Sequence, residues 1–287
     1  MNLRRILQLL PDKPYIQLMY FYHFHRFANL KNPQTFNEKL QWLKLYDRNP
    51  EYTIMVDKIA AKQYVAEKIG EEFIIPTLGV WSSPDEIDFD MLPDQFVLKW
   101  NHDSGSIVIC KDKNTFDRES AKNKLRHGEK VNGYWYGREW PYIGVRPKLL
   151  AEEYMEDDAT KELRDYKVFT FGGKAHLFLV ASERQKKGED VKFDFFDINR
   201  NHLDLINNHQ NAAQIPQLPT KFDLMISLAE KIAIDYPHLR VDFYEVNGKV
   251  YFGEITLYHG SGFMHFKPEK WEKIMGEWIV LPEKLEK

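Results

Sequence analysis

The run RVDFYEVNGKVYFGEIT (240–256) holds two carboxylates, Asp242 and Glu254, and a guanidinium, Arg240, in a pattern that folds them together. Apolar and polar residues alternate on both sides of Asn247-Gly248, a pair that favours a tight hairpin turn. Folding back there sets Asp242 close to Glu254, and Arg240, two residues upstream, shares Asp242's face of the strand. On an ordinary hairpin such charges face water. Here Asp242 stands between Val241 and Phe243, and Glu254 between Gly253 and Ile255. If the pair faces inward, two adjacent carboxylates are costly unless a cation sits with them. Hard oxygen ligands of this kind suit Mg²⁺, which takes its remaining ligands from water and substrate phosphates. Arg240 then has two uses, pairing the carboxylates or clamping a phosphate.

Other segments carry cations and small-residue loops. In VLKWNHDSGSIVI (97–109) Lys99 closes one strand, a polar loop with Ser104, Gly105 and Ser106 follows, and a strand resumes. Backbone amides of such a loop can fold over phosphates, although a plain hairpin turn has the same composition. It is not a P-loop, because G-x-x-x-x-G-K-[ST] is absent and no helix opens after it. His102 reads as a loop residue. The amphipathic stretch VDKIAAKQYVAEKIG (56–70) presents lysines, Lys58 among them, that are either solvated or aimed at a ligand. In 148–184 an apolar strand runs into Glu152-Glu153-Tyr154-Met155, a hinge whose amides can meet a purine edge while apolar neighbours cover its faces. Asp165 and Lys167 share one face of the next strand, and Arg184 ends the strand after that. Surface charges on a sheet give this pattern too.

The elements that must position these groups begin with helices. Residues 15–30 are crowded with aromatics, and 35–47 carry Phe36, Leu40, Leu43 and Leu45 at helical spacing, with Thr35 and Glu38 forming a capping box. The spacing predicts a single helix over 53–70, ending at Gly70. Short β-rich runs follow (FIIPTLGVW, FVLKW, GSIVICKD), then a helix over 117–127 and an aromatic loop, GYWYGREWPYIG. Strands then lie on either side of a Gly172-Gly173 hairpin turn. Residues 191–218, rich in Asn and His, read as irregular. A helix over 220–235 precedes the opening hairpin, and PEKWEKIMGEWI closes the chain as a helix. Antiparallel hairpins without alternating βαβ units place the chain in the α+β class.

The chain has 287 residues, enough for one large or two small domains. With 29% charged and 14% aromatic residues it is globular, and a net charge of −3 argues against a duplex-wide nucleic-acid surface. A single cysteine, Cys110, excludes an internal disulfide and a cysteine-rich metal site, which fits a reducing, cytoplasmic compartment. No apolar run approaches the roughly 18 residues of a spanning helix, and the first residues lack a signal-peptide pattern. The aromatic helix over 15–30, with His23, His25 and Arg26 on a polar side, is either core or a docking element at the inner face of a membrane.

Taken in order, these features resemble the ATP-grasp superfamily over roughly residues 53–265. The entry helix with Asp57, Lys58, Lys62, Gly70 and Pro76 is similar to that fold's opening. LKWNHDSGSIVICKDK and RDYKVFTFGGK are similar to runs of the TupA-like ATP-grasp family, linked to teichuronopeptide and other surface-polysaccharide synthesis. The resemblance implies an α+β fold of two subdomains (53–150 and 151–287) sandwiching ATP, after a helical N-terminal region (1–52). It implies ATP and Mg²⁺ as cofactors. Lys58 and Lys99 would meet the phosphates under the 101–106 loop. Glu152 and the backbone near Tyr154 would bind adenine, with Glu153 and Met155 beside them and Asp165 nearer the ribose. Lys167 and Arg184 would face the phosphates or the acyl substrate, Arg240 would stabilise the transferred phosphoryl, and Asp242 and Glu254 would hold Mg²⁺. Many members carry Asn two residues after the metal Glu; here that position is Thr256. The activity implied is an ATP-dependent carboxylate–amine ligase using a uronic acid of a capsular or cell-wall saccharide and an amine or amino acid. A glycosyltransferase or a kinase in the same synthesis, and a homodimeric state, are the alternatives to weigh.

Overall fold

A computed structural model describes residues 8–159, 163–182 and 190–284. In chain order the helices are α1 (Asp12–Phe24), α2 (Phe36–Tyr46), α3 (Glu51–Val56), α4 (Ala60–Ile69), α5 (Arg118–Gly128), α6 (Tyr134–Gly137), α7 (Phe222–Ala233) and α8 (Lys270–Trp278). The strands are β1 (Thr77–Trp81), β2 (Phe96–Trp100), β3 (Val108–Cys110), β4 (Leu149–Glu153), β5 (Asp165–Phe171), β6 (Lys174–Ser182), β7 (Lys192–Asp197), β8 (Ile206–Asn207), β9 (His238–Val246), β10 (Lys249–Thr256) and β11 (Phe266–Lys267).

They form a four-stranded sheet, β1-β4-β2-β3, and a five-stranded sheet, β10-β9-β5-β6-β7, antiparallel throughout. The short β8–β11 ribbon stands apart. The architecture is α+β, as the hairpins predict.

Two cores follow from the two sheets. The smaller joins Phe96, Leu98 and Trp100 of β2 to Leu125 of α5 and Ala151 of β4. The larger runs from Tyr20 through the helices of residues 36–69 to the big sheet and α7. Strand periodicity divides the big sheet cleanly. Val168, Phe178, Val241 and Phe243 share the face against which α7 lays Phe222, Met225 and Ala229. Asp165, Lys167, Arg240 and Asp242 take the opposite face.

Local chemistry explains the boundaries. Thr35 and Glu38 make both bonds of the capping box at α2. Positive φ at Asn247 (50°) and Gly248 (74°) turns β9 into β10, and Gly172 (54°) and Gly173 (79°) turn β5 into β6. The single helix expected over 53–70 is two. Asp57 Oδ1 accepts the amides of Ile59 and Ala60, at 2.9 and 3.3 Å, so the side chain competes with the helix and restarts it as α4. α1 is shorter than expected, because His25 turns left-handed (φ 54°) and closes it on Phe21 O. The stretch expected to be irregular contains β7, whose Phe195 is fully buried. Arg184 lies outside the described residues. Among those described, no helix is long and apolar enough to cross a membrane.

His238 opens β9 in a nest of Phe36, Phe169 and Phe171, and its Nδ1 donates to Thr170 O at 2.8 Å. Burial pulls its pKa down to about 4. The unfolded imidazole titrates near 6.5, so between about 6.5 and 4 the unfolded chain binds the extra proton and stability falls as pH falls. Urea unfolding at pH 7 and pH 5 should show wild type losing about 2 kcal/mol more than His238→Gln. Equal losses would mean that the buried ring does not carry this linkage.

Candidate functional site

The acidic hairpin face depends on a bulge. Up to Phe252, which pairs with Phe243, the β9–β10 ladder is regular; beyond it Glu254 pairs with Asp242, leaving Gly253 as the extra residue. A straight ladder would pair Asp242 with Gly253 and send Glu254 to the core face. The bulge re-aims Glu254 so that it joins Arg240, Asp242 and Thr256 on one face.

On that face Arg240 lies between the carboxylates. Its Nε donates to Asp242 Oδ1 at 2.7 Å, and Nη2 donates to Asp242 Oδ2 at 2.8 Å and Glu254 Oε1 at 3.0 Å. Lys167, one strand over, donates to Asp242 Oδ2 and stands 3.3 Å from Asp165. The guanidinium therefore pairs the carboxylates, one of the two uses foreseen for it. Burial works to raise the Asp242 carboxyl, but Arg240 and Lys167 outweigh it and hold it below the ordinary range. Burial lowers Lys167, with Asp242 opposing.

A cleft of about 210 Å³ separates this face from the segment carrying Lys58 and His102–Ser104. Arg240, Glu254 and Thr256 line one wall, and Tyr142 also borders it. Lys58 Nζ donates to Asp103 O at 2.7 Å, and its amide to Asn101 O. Burial lowers its pKa. An anion entering the cleft would restore the proton's stability, which is what a phosphate-binding lysine needs. Ser104 and Gly105 are exposed, Ser106 is half-buried, and a Cβ at Gly105 (φ 114°) would meet open space.

Glu152 occupies the other end of the charged track. It accepts from Lys62 at 2.6 Å and Lys99 at 2.5 Å, and these ammoniums overcome the burial that would raise its pKa. Its neighbour Glu153 points the opposite way and is exposed, as strand alternation requires. Glu153 and Tyr154 border an open groove with Leu78, Met91 and Lys111. Tyr154 bonds Glu156 at 2.5 Å, and Met155 is half-buried. The structure thus gathers Lys167, Asp165, Arg240, Asp242, Glu254 and Thr256 on one sheet face with Lys58 across the cleft. It sets Lys99 and Glu152 in a second cluster.

Sequence reasoning gave no role to Tyr142, Glu139 or His259. Glu139, held above its ordinary range by burial, feels both Lys44 and Arg240. His259 Nδ1 lies 2.9 Å from Arg240 Nη1. The available signal was HGSGF two residues after β10, a polar, glycine-rich turn where a loop needs no histidine.

Among the described residues no group of three or more His, Cys, Asp or Glu forms a metal cluster. Two carboxylates on one face nevertheless fit Mg²⁺, which commonly takes one or two from protein and the rest from phosphate and water. Asp242 is held ionised, and the Arg240 and Lys167 charges now on the pair show that it attracts cations. Asp242 and Glu254 would hold the ion, with Thr256 as a weaker neutral neighbour.

A protein-family model described as TupA-like ATPgrasp matches residues 38–280. None of the curated proteins matches the chain. Solved structures similar to it include the D-alanine–D-alanine ligase from Bacillus anthracis complexed with ATP, at 13% identity and TM-score 0.41, covering 71% of this chain and 54% of that one. The same enzyme from Helicobacter pylori is 15% identical with TM-score 0.42, covering 85% and 69%. The ATP-grasp ligase PsnB, complexed with minimal precursor, Mg and ADP, is 10% identical with TM-score 0.40, covering 77% and 57%. The chain spans about half the length of the first of these.

Proposed function

Because this chain belongs to the TupA-like ATP-grasp family, we propose that it joins a carboxylate to an amine at the expense of ATP. The observation that carries this reading is the Arg240–Asp242–Glu254–Lys167 face set across a cleft from Lys58. Five charged side chains, with no nucleophile paired with a base among the described residues, suit a site that positions and neutralises phosphate.

In the first step a carboxylate oxygen attacks the γ-phosphorus of ATP, the bond to the β–γ bridging oxygen breaks, and ADP leaves. In the second the amine nitrogen attacks the acyl carbon, the acyl–oxygen bond breaks, phosphate departs and the amine's proton passes to solvent. A free carboxylate is a poor acyl donor because oxide is its leaving group; phosphorylation supplies a good one. Arg240 and Lys167 stabilise charge on the transferred phosphoryl group, and Lys58 binds the phosphates from the opposite wall. Asp242 and Glu254 would hold Mg²⁺, which would supply further neutralisation of that charge. Lys99 and Glu152 orient the nucleotide from the second cluster, with adenine at the 152–155 hinge.

On the resemblance alone, we propose a uronic acid of a surface polysaccharide as the acid and an amine or amino acid as its partner, with the enzyme in the cytoplasm or at the inner face of the membrane. The test supplies Mg-ATP, uronic-acid oligosaccharides and a panel of amino acids. ADP and phosphate released in equal amounts only with both substrates present supports ligation. ADP with a phosphorylated sugar and no free phosphate identifies a kinase. Absence of ATP binding by calorimetry defeats the reading, and leaves nucleotide-sugar turnover as the next assay.

A further inference from the structure

The Arg240 guanidinium has a fourth contact that the proposed chemistry does not use. Its Nη1 lies 2.9 Å from Nδ1 of His259, a residue only 4% exposed. Arginine can only donate, so this imidazole nitrogen must offer a lone pair, and the ring proton must sit on Nε2. Nε2 lies 2.7 Å from the amide nitrogen of Asn207, while Asn207 Oδ1 is buried without a partner. Nε2–H needs an acceptor, and the buried Asn207 Oδ1 is the acceptor beside it, on an amide whose two ends have the same shape. Rotating it lets Oδ1 accept from Nε2–H. A relay results, in which Asn207 fixes the tautomer of His259 and His259 accepts from Arg240.

The scaffold around this relay is stiff. His259 packs edge-on against Phe169, with ring centroids 5.0 Å apart. Gly260, Ser261 and Gly262 that follow it are all left-handed, at φ 54°, 54° and 65°, a costly run for the serine. Helix α2 pins them: Gln41 Nε2 donates to Ser261 O and Gly262 O, at 3.0 and 2.7 Å, and Lys44 Nζ to Ser261 O at 2.8 Å. Asn207 itself is held in the ribbon opposite Phe266.

We propose that His259, oriented by Asn207, is a positioning residue that keeps the Arg240 guanidinium aimed across the cleft. The other Arg240 contacts all go to Asp242 and Glu254, the carboxylates the reaction assigns to Mg²⁺. His259 is the acceptor that remains when those carboxylates serve the ion. The kinetic part of this proposal rests on the ligase reading; the proton on Nε2 does not.

Two measurements test it. Nitrogen–proton correlation spectra at pH 7.5, assigned by the loss of signals in His259→Asn, should show a neutral His259 with its proton on Nε2. A proton on Nδ1, or a charged ring, overturns the relay. In the ADP-release assay His259→Phe should lower kcat by about 10- to 100-fold with KM for ATP nearly unchanged. His259→Asn, whose Oδ1 lies where Nδ1 was, should recover most of that loss at equal thermal stability. Equal losses in both folded variants, or a loss confined to KM, overturn the positioning role. If wild type shows no ATP-dependent turnover, the ligase reading fails by itself and the tautomer decides the relay.

Discussion

Asp242→Asn is expected to cut Mg²⁺-dependent ADP release by about 10²- to 10³-fold and to lower stability by about 3–5 kcal/mol. The two effects share one cause. Asp242 is 1% exposed and neutralises two buried cations, Arg240 and Lys167. An asparagine keeps one acceptor oxygen but turns its NH₂ toward donors. Arg240 cannot shed its charge. Lys167, whose pKa burial already lowers against the pull of Asp242, would be driven toward the neutral amine. The carboxyl is held below its ordinary value in the fold, so the folded state binds fewer protons at acid pH. Its stabilisation is present above the unfolded pKa near 3.9 and lost as pH falls through the folded one. The acid limb should be shallower in Asp242→Asn than in wild type, because Glu152 still contributes its own part.

Glu254→Gln separates function from folding. The Glu254 side chain is 40% exposed and meets Arg240 through one oxygen, so its loss costs under about 1 kcal/mol. A comparable fall in Mg²⁺-dependent turnover is nevertheless expected. Wild-type metal dependence in both variants, measured by ADP release against Mg²⁺ concentration, would remove the ion from this face.

The legible parts of the site are those with a local signature. Asn247-Gly248 and Gly172-Gly173 mark turns by their own backbone preferences, and Thr35 with Glu38 marks the start of α2. Arg240, Asp242, Asp165 and Lys167 follow from strand periodicity alone. Glu254 does not. Counting back from the turn places it opposite Val241, and only the bulge at Gly253 brings it to Asp242. A glycine inside a strand hints at such a bulge without giving its effect on register. The Lys62–Glu152–Lys99 triad joins residues on a helix and two strands, and no spacing connects them. The break at Asp57 was hidden because Asp is tolerated in helices, and its side chain's choice of amides depends on what the chain does next.

Least legible were the long-range contacts of α2. Asn37, Gln41 and Lys44 follow at i, i+4 and i+7, beside the apolar Leu40 and Leu43, and sequence reasoning gave them no role. All three are buried, and they donate to carbonyls more than ninety positions away: Met264 O, Ser261 O, Gly262 O and Gly137 O. A stripe of donors matched to distant backbone acceptors has no trace in local sequence. It ties the N-terminal helices, whose role was open, to the loop that carries His259.

Lys44→Met should therefore loosen that loop as well as destabilise the protein. Lys44 is 1% exposed, and its ammonium donates to Gly137 O at 2.6 Å and Ser261 O at 2.8 Å, 4.8 Å from the centre of the Phe263 ring. Methionine fills similar volume but leaves both carbonyls without that donor, at about 3 kcal/mol together. For a chain of this size that lowers Tm by about 5 °C. Burial pulls the lysine's pKa down to about 7, against Glu139 and Asp12. Between about 7 and 10.5 the unfolded chain therefore binds more protons, and this group makes wild type more stable as pH rises. The deficit of Lys44→Met should widen from pH 7 to pH 9. Amide hydrogen exchange supplies the local readout: Gly262 and Phe263 should lose protection in the variant while β5 and β9 keep theirs. Unchanged protection at those two amides would show that Gln41 and the turn's own bonds hold the loop without the cation. The His259–Arg240 contact would then owe nothing to α2 beyond packing.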